Sequence, residues 1–185
     1  MVVKTIKKAY TGNSAPLPKN PNLIVIKVDD IATYPARADD DISSATGVTG
    51  NLVLKAGAKA IGLYVTQQSL SRNDTLDGDY PATGYIANVV GIIPGDKQYT
   101  VATLHALLNE DLVVITLGCE DGTATRLHGA PCAPMALSLE AQDNNEAVQR
   151  TSTFKQTNRY KYPSMHYFGA IDFDFEDDAE DVEGA

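Results

Sequence analysis

A chain of 185 residues, 43% hydrophobic and 21% charged, is long enough for one domain whose core needs neither metal nor disulfide staples. Its formal net charge of −9 argues against a free nucleic-acid-binding face, and its longest apolar runs are too short to cross a bilayer, so no membrane insertion is expected. The acidity is uneven, because residues 172–183, DFDFEDDAEDVE, hold eight acidic groups and no basic ones, which leaves the rest near neutral.

Residues 1–20 read as an extended arm. Met1 to Tyr10 is basic and not apolar enough for a secretory signal, so synthesis in a cytosol and reduced thiols are expected. Gly12 to Pro21 is rich in Gly, Asn, Ser and Pro and cannot hold regular structure. Leu23–Val28, LIVIKV, is a β-branched run and is predicted as a strand. Residues 29–47 are polar and read as a connection, with room for a short helix or strand near Asp30–Tyr34.

Asn51–Lys55 and Lys59–Thr66 are predicted strands joined by Ala56-Gly57-Ala58, with Ile61, Leu63 and Val65 on one face. Gln67 to Ala82 is polar, without apolar periodicity, and is predicted as an unusually long loop before a strand over Thr83–Ile93. Thr100–Asn109 is the one predicted helix, with Val101, Leu104 and Leu108 on one face and Leu107 beside them.

Strands follow at Leu112–Gly118 and Thr123–His128, joined by a turn at Glu120-Asp121-Gly122. Further strands are predicted at Met135–Leu139, Arg150–Gln156 and His166–Phe173, with a polar turn over Gln142–Ala147. The pattern is mainly β: a β-sandwich or barrel over residues 21–171, one short flanking helix at about 100–109, and an acidic tail over 172–185. Such a tail is expected to stay solvated; in a docking role, Lys4, Lys7 and Lys8 would be its natural partners.

Chemistry-bearing residues are sparse. His105, His128 and His166 stand in no nucleophile pattern and read as surface or satisfied histidines. Cys119, His128 and Cys132 bracket one hairpin, but C-x8-H-x3-C is not a zinc spacing; two buried or half-buried thiols are expected, with a cross-hairpin disulfide as the alternative. Asp29-Asp30 and Asp39–Asp41 lie in polar connections and look solvated. Gly47-Val48-Thr49-Gly50 lacks the Lys-Ser/Thr and the helix of a phosphate cradle. Asn73-Asp74-Thr75 matches a glycosylation acceptor, read as chance without a secretion signal. Lys155, Arg159 and Lys161 interleave with Phe154, Tyr160 and Tyr162, a pattern that suits either stacking on a single nucleic-acid strand or a hairpin edge facing a neighbour. No residue is assigned as catalytic, cofactor-binding or metal-ligating, no cofactor is expected, and an enzyme is not the reading.

From about Val48 to Gln156 the order of elements resembles the tail tube proteins of long-tailed bacteriophages and related injection machines. A strand pair, NLVLKAGAKAIGLYVT, leads into the polar stretch at Gln67–Ala82. The strand GYIANVVGII, the helix, the hairpin LVVITLGCEDGTATRLHG, and then PCAPMALSLEAQDN and RTSTFKQT follow. The resemblance implies a structural virion protein, made in the bacterial cytoplasm and resident in the tail. It implies homo-oligomeric rings, usually hexamers, whose strands join into one inner barrel and whose stacking forms a tube for DNA ejection. Other tail proteins would be its partners, and DNA only a non-specific, transient cargo. The arm at Met1–Asn20 and the loop at Gln67–Ala82 would contact neighbours; the acidic tail departs from the family's pattern.

The alternatives are another β-class virion or injection-system part, such as a terminator, neck or decoration protein, and a carbohydrate-binding β-sandwich. The last would use Tyr160, Tyr162 and Tyr167 as its aromatic platform, since the chain has no Trp.

Overall fold

Two apolar runs make the centre of the fold. Strand β1 (Leu23–Lys27) and strand β8 (Leu112–Thr116) pair antiparallel along their whole lengths, and both faces of the pair are buried. Side chains alternate across a strand, so Leu23, Val25, Leu112 and Val114 enter a first core while Ile24, Ile26, Val113 and Ile115 enter a second. Burial on both faces is why these strands read as continuous apolar runs and not as alternation. The computed structural model describes residues 3, 5–6, 22–36, 47–48, 50–95, 97–118, 125–143 and 148–176. Most of the arm, Asp39–Asp41, Thr49, Cys119, the turn at Glu120-Asp121-Gly122, residues 144–147 and the acidic run from 177 lie outside that description.

The remaining strands are β2 (Ile31–Thr33), β3 (Gly47–Val48), β4 (Val53–Leu54), β5 (Ile61–Leu63), β6 (Ser71–Asp77), β7 (Gly84–Pro94), β9 (Arg126–His128), β10 (Met135–Asp143), β11 (Val148–Gln156) and β12 (Met165–Tyr167). Ten of the strands form one curled sheet, a half-barrel, ordered β3-β12-β9-β8-β10-β11-β7-β6, with β1 joining β8 to β5. Strand β8 divides its second edge: Val114 to Thr116 pair with β9, and Leu112 pairs with Met135 of β10. At that fork the sheet splits into two layers. The long strands β10, β11, β7 and β6 curl over the first core, whereas β9, β12 and β3 cover the second. The mainly-β fold with one short helix is as the sequence predicts.

Helix α1 spans Gln98–Ala106, slightly earlier than predicted, and buries Thr100, Thr103 and Leu104 against the first core, with Leu107 just beyond its end. Asn109 takes a positive φ of 63° and ends the turn that follows, a conformation Asn tolerates better than most residues.

Three expectations are corrected. Gln67–Ala82 is not a loop: a single 3-10 turn at Gln67–Ser69 leads into β6, which pairs with β7 from Ser71↔Val90 to Asp77↔Gly84. Its polar sequence misleads because six of its seven residues are exposed and backbone pairing, not apolar burial, holds it. The strands around Val53 and Ile61 do not pair with each other; β4 pairs with β2, and β5 with β1. Finally, the acidic run begins inside the fold. Phe173 and Phe175 pack on the second core, and Ala60 exchanges backbone hydrogen bonds with Asp174 and Glu176. Ile6 pairs along the same outer edge of β5, through Gly62 and Tyr64, and Thr5 Oγ1 donates to the Glu176 carbonyl at 2.9 Å. Both ends of the described chain thus cover the β5 edge.

Candidate functional site

Two features of the layer over the first core stand out: the outward face of the four long strands, and a chain of polar side chains beneath one edge of them.

The register fixes the outward face. Ser71, Val90, Thr153 and Ser138 lie in one row across β6, β7, β11 and β10; Asn73, Asn88, Lys155 and Ala136 lie in the next. Thr75 and Ile86 extend the face on one side, and Ile92, Thr151, Glu140, Gln149 and Gln142 on the other. Hydroxyls, amides and small or β-branched groups dominate, and at the strand positions of this face only Asp77, Lys155 and Glu140 are charged. The opposite face carries Ala87, Val89, Ile93, Phe154, Met135 and Leu137 into the first core. Ser152 donates to the Gly91 carbonyl at 2.9 Å, and the Gln156 amide bridges Ala87 N and the Ala133 carbonyl, so the inward polar groups are satisfied.

Both edges of this four-stranded unit are open among the described residues. Strand β6 pairs only with β7, and β10 beyond Met135 pairs only with β11. The hairpin tip between β6 and β7 presents Tyr80, 95% exposed, with Leu76, 65% exposed, at the end of β6. Behind the tip, Arg159 reaches Asp77 at 3.4 Å and donates to the Ala82 carbonyl, while Tyr160 and Tyr85 exchange two backbone hydrogen bonds.

Arg72 and Asp74 lie opposite Val89 and Ala87, so they face the first core. Thr116 shares the face of Val114 on β8, and His128 lies opposite Val114 on β9. Ser164 stands just before β12. These residues meet at the side of the core where no backbone ladder joins β6 to β9. Ser164 Oγ donates a short hydrogen bond to the Asp74 carboxylate, so it accepts from His128 Nδ1, 2.8 Å away. At the other ring nitrogen, Arg72 Nη1 donates to Thr116 Oγ1 at 3.4 Å, and that hydroxyl donates to His128 Nε2 at 3.0 Å. The imidazole is therefore neutral with its proton on Nδ1. Burial, then the positive charges of Arg72 and Arg126, push its pKa down to about 3. Burial and Arg126 likewise lower the pKa of Arg72.

The order of groups decides what this chain of bonds can do. A nucleophilic serine needs a base to accept its proton and a carboxylate behind that base. Here serine stands between carboxylate and imidazole, and His128 is only 1% exposed. The arrangement ties strands together.

The other residues singled out by sequence are scattered. His105 is exposed on α1, and His166 stacks on Phe168 at 6.2 Å, its pKa lowered by burial and then by Arg126 and Arg72. Cys132 is a free, exposed thiol, not a buried one, because the turn between Pro131 and Pro134 holds it outside. Both nitrogens of His128 are engaged, and among the described residues no three His, Cys, Asp or Glu side chains gather as a metal site. Phe154 is fully buried and so cannot interleave with Lys155 at a surface. Tyr167 is also in the core, accepting from Leu52 N and donating to the Ala170 carbonyl, and burial raises its pKa. Tyr160 and Tyr162 meet edge to face at 72°, so the three tyrosines form no flat platform. A cavity of about 380 Å³ lies between residues 51–58 and the segment from Ala170 to Asp174, with Lys55, Asp172 and Asp174 as its charged residues. Among the described residues no helix is long and apolar enough to cross a membrane.

No protein-family model matches this chain, and neither a curated protein nor a solved structure matches it.

Proposed function

We propose that this chain is a tube subunit of a phage-tail-type injection machine, in which copies join edge to edge into rings and the rings stack into a conduit for DNA. The observation that carries the reading is the four-stranded unit β10-β11-β7-β6, open at both edges among the described residues, with an outward face almost free of charge. An open edge is a row of unpaired backbone donors and acceptors, and a protein that leaves two of them exposed invites pairing with further chains. The edges of β6 and β10 are different surfaces, so their pairing is heterologous and makes a ring when the rotation closes. They are also offset along the strands: β6 overlaps the beginning of β10 and runs beyond Met135, while β10 continues the other way to Asp143. Closed barrels need such a stagger, because their strands tilt.

The joined outward faces would line the lumen. A conduit must let DNA pass without gripping it. Basic side chains neutralise phosphates and release counterions, which favours binding; hydroxyls and amides do so far less. Lys155 is the one basic residue at the strand positions of the face, with Glu140 and Asp77 on the same surface. The ring number, usually six, the place in the tail beside other tail proteins, and synthesis in a bacterial cytoplasm follow from the family resemblance.

Negative-stain electron microscopy of the concentrated protein, with light scattering alongside, tests the proposal. Rings with a central hole, or stacked tubes, are expected. A species that stays monomeric at every concentration would overturn it.

A further inference from the structure

Strand β6 has little to hold it. Its sequence, SRNDTLD, is rich in residues disfavoured in strands, six of its seven residues are exposed, and among the described residues it pairs on one side only. Among its inward-facing residues, Arg72 and Asp74 enter the polar chain of Thr116, His128 and Ser164. They do so from alternate positions, two residues apart, with Asn73 between them on the outward face.

We propose that the Arg72–Thr116–His128–Ser164–Asp74 chain is a register lock that fixes the geometry in which β6 offers its free edge to the next copy. The proposal rests on the edge-pairing function above. A one-residue slip of β6 against β7 would turn Ser71, Asn73 and Thr75 inward, taking Arg72 from Thr116 and Asp74 from Ser164. Apolar contacts would penalise such a slip weakly, since Leu76 is the only large apolar residue of β6. The directional bonds therefore supply the selectivity that a hydrophobic face supplies in other strands. They come from β8, β9 and the residue before β12, so the lock ties the assembly edge to the fully buried strand β8 and its neighbours. Ser164 and Asp74 act as positioning residues.

The test is amide hydrogen exchange, read by NMR on the full chain under non-assembling conditions, together with the concentration at which assembly begins. Ser164→Ala and Asp74→Ala are expected to cut protection of the amides joining β6 to β7 by about tenfold, leaving β1 and β8 unchanged. They are also expected to raise the onset concentration by about tenfold, a factor in line with one lost hydrogen bond to a charged group. Asp74→Asn, which keeps an acceptor oxygen, should restore most of both. Unchanged protection of β6 would overturn the lock, as would equal loss of protection in β1 and β8. Loosened β6 amides with unaltered assembly would overturn its link to the edge. If the parent protein never assembles, the tube reading fails, while the exchange data still decide whether the lock exists.

Discussion

His128 Nδ1 lies 2.8 Å from Ser164 Oγ, and because that hydroxyl gives its proton to Asp74, the imidazole is held in one neutral tautomer inside the protein. In the unfolded chain the same ring takes up a proton near its ordinary pKa of 6.5, whereas in the fold it resists until about 3. Between those values the unfolded state binds more protons, so stability falls as pH is lowered. The slope from this residue is at most about 1.4 kcal/mol per pH unit. Urea unfolding at pH 7 and pH 4 should show a steeper loss for the parent protein than for His128→Gln. A difference between the two that is the same at both pH values would contradict the account.

Asn22 closes the join between β1 and the end of β5 in place of a backbone ladder. Its Nδ2 donates to the Val65 carbonyl at 2.7 Å, and its Oδ1 accepts from Val65 N at 2.8 Å. Asn22→Ala leaves both Val65 groups buried without these partners and should cost about 2–4 kcal/mol in chemical denaturation. Asn22→Asp keeps the acceptor but not the donor, and should be no better than Ala once the cost of a buried charge is included.

Gly91 of β7 lies directly against the Val65 side chain. A Cβ there would sit 2.8 Å from Val65 Cγ1 and 3.0 Å from its Cβ. Gly91→Ala should destabilise by about 1–3 kcal/mol through overpacking. Val65→Ala in the same chain removes the Cγ1 contact and leaves only the tighter-than-usual one at Cβ, so the double variant should be more stable than the sum of the two single losses predicts. Additive losses in thermal unfolding would mean that the two positions do not compete for the same space.

The central pair of strands is legible in LIVIK and LVVIT, because burial on both faces writes itself as an uninterrupted apolar run. Ile61, Leu63 and Val65 are legible by their period-2 alternation onto one face, and all three are in the first core. Strand β6 is not. All but Leu76 of its residues are polar, and it is held by pairing with β7 and by a network assembled from positions 72, 74, 116, 128 and 164, which no local pattern brings together. The one local signal is Arg72 and Asp74 two residues apart, a period-2 pair of functional groups in place of apolar ones. His128 was legible only as a satisfied histidine; Ser164, Thr116 and Arg72 gave no local sign of meeting it. The acidic run hid Phe173 and Phe175, whose burial against the second core makes its first residues part of the fold.

The edge-to-edge claim is tested most directly by cysteine cross-linking, in a background carrying Cys119→Ser and Cys132→Ser. Ser71→Cys on β6 and Ser138→Cys on β10 lie in one row with two strands between them, about 14 Å apart within a chain by strand spacing, too far for a disulfide. Oxidation of the assembled protein, with register neighbours Asn73→Cys and Glu140→Cys scanned in turn, should give a ladder of covalent oligomers. The ladder should end at one ring size for at least one pair. Oligomers visible by microscopy that yield no such ladder at any register would show that the copies meet elsewhere, and would contradict the pairing of β6 with β10.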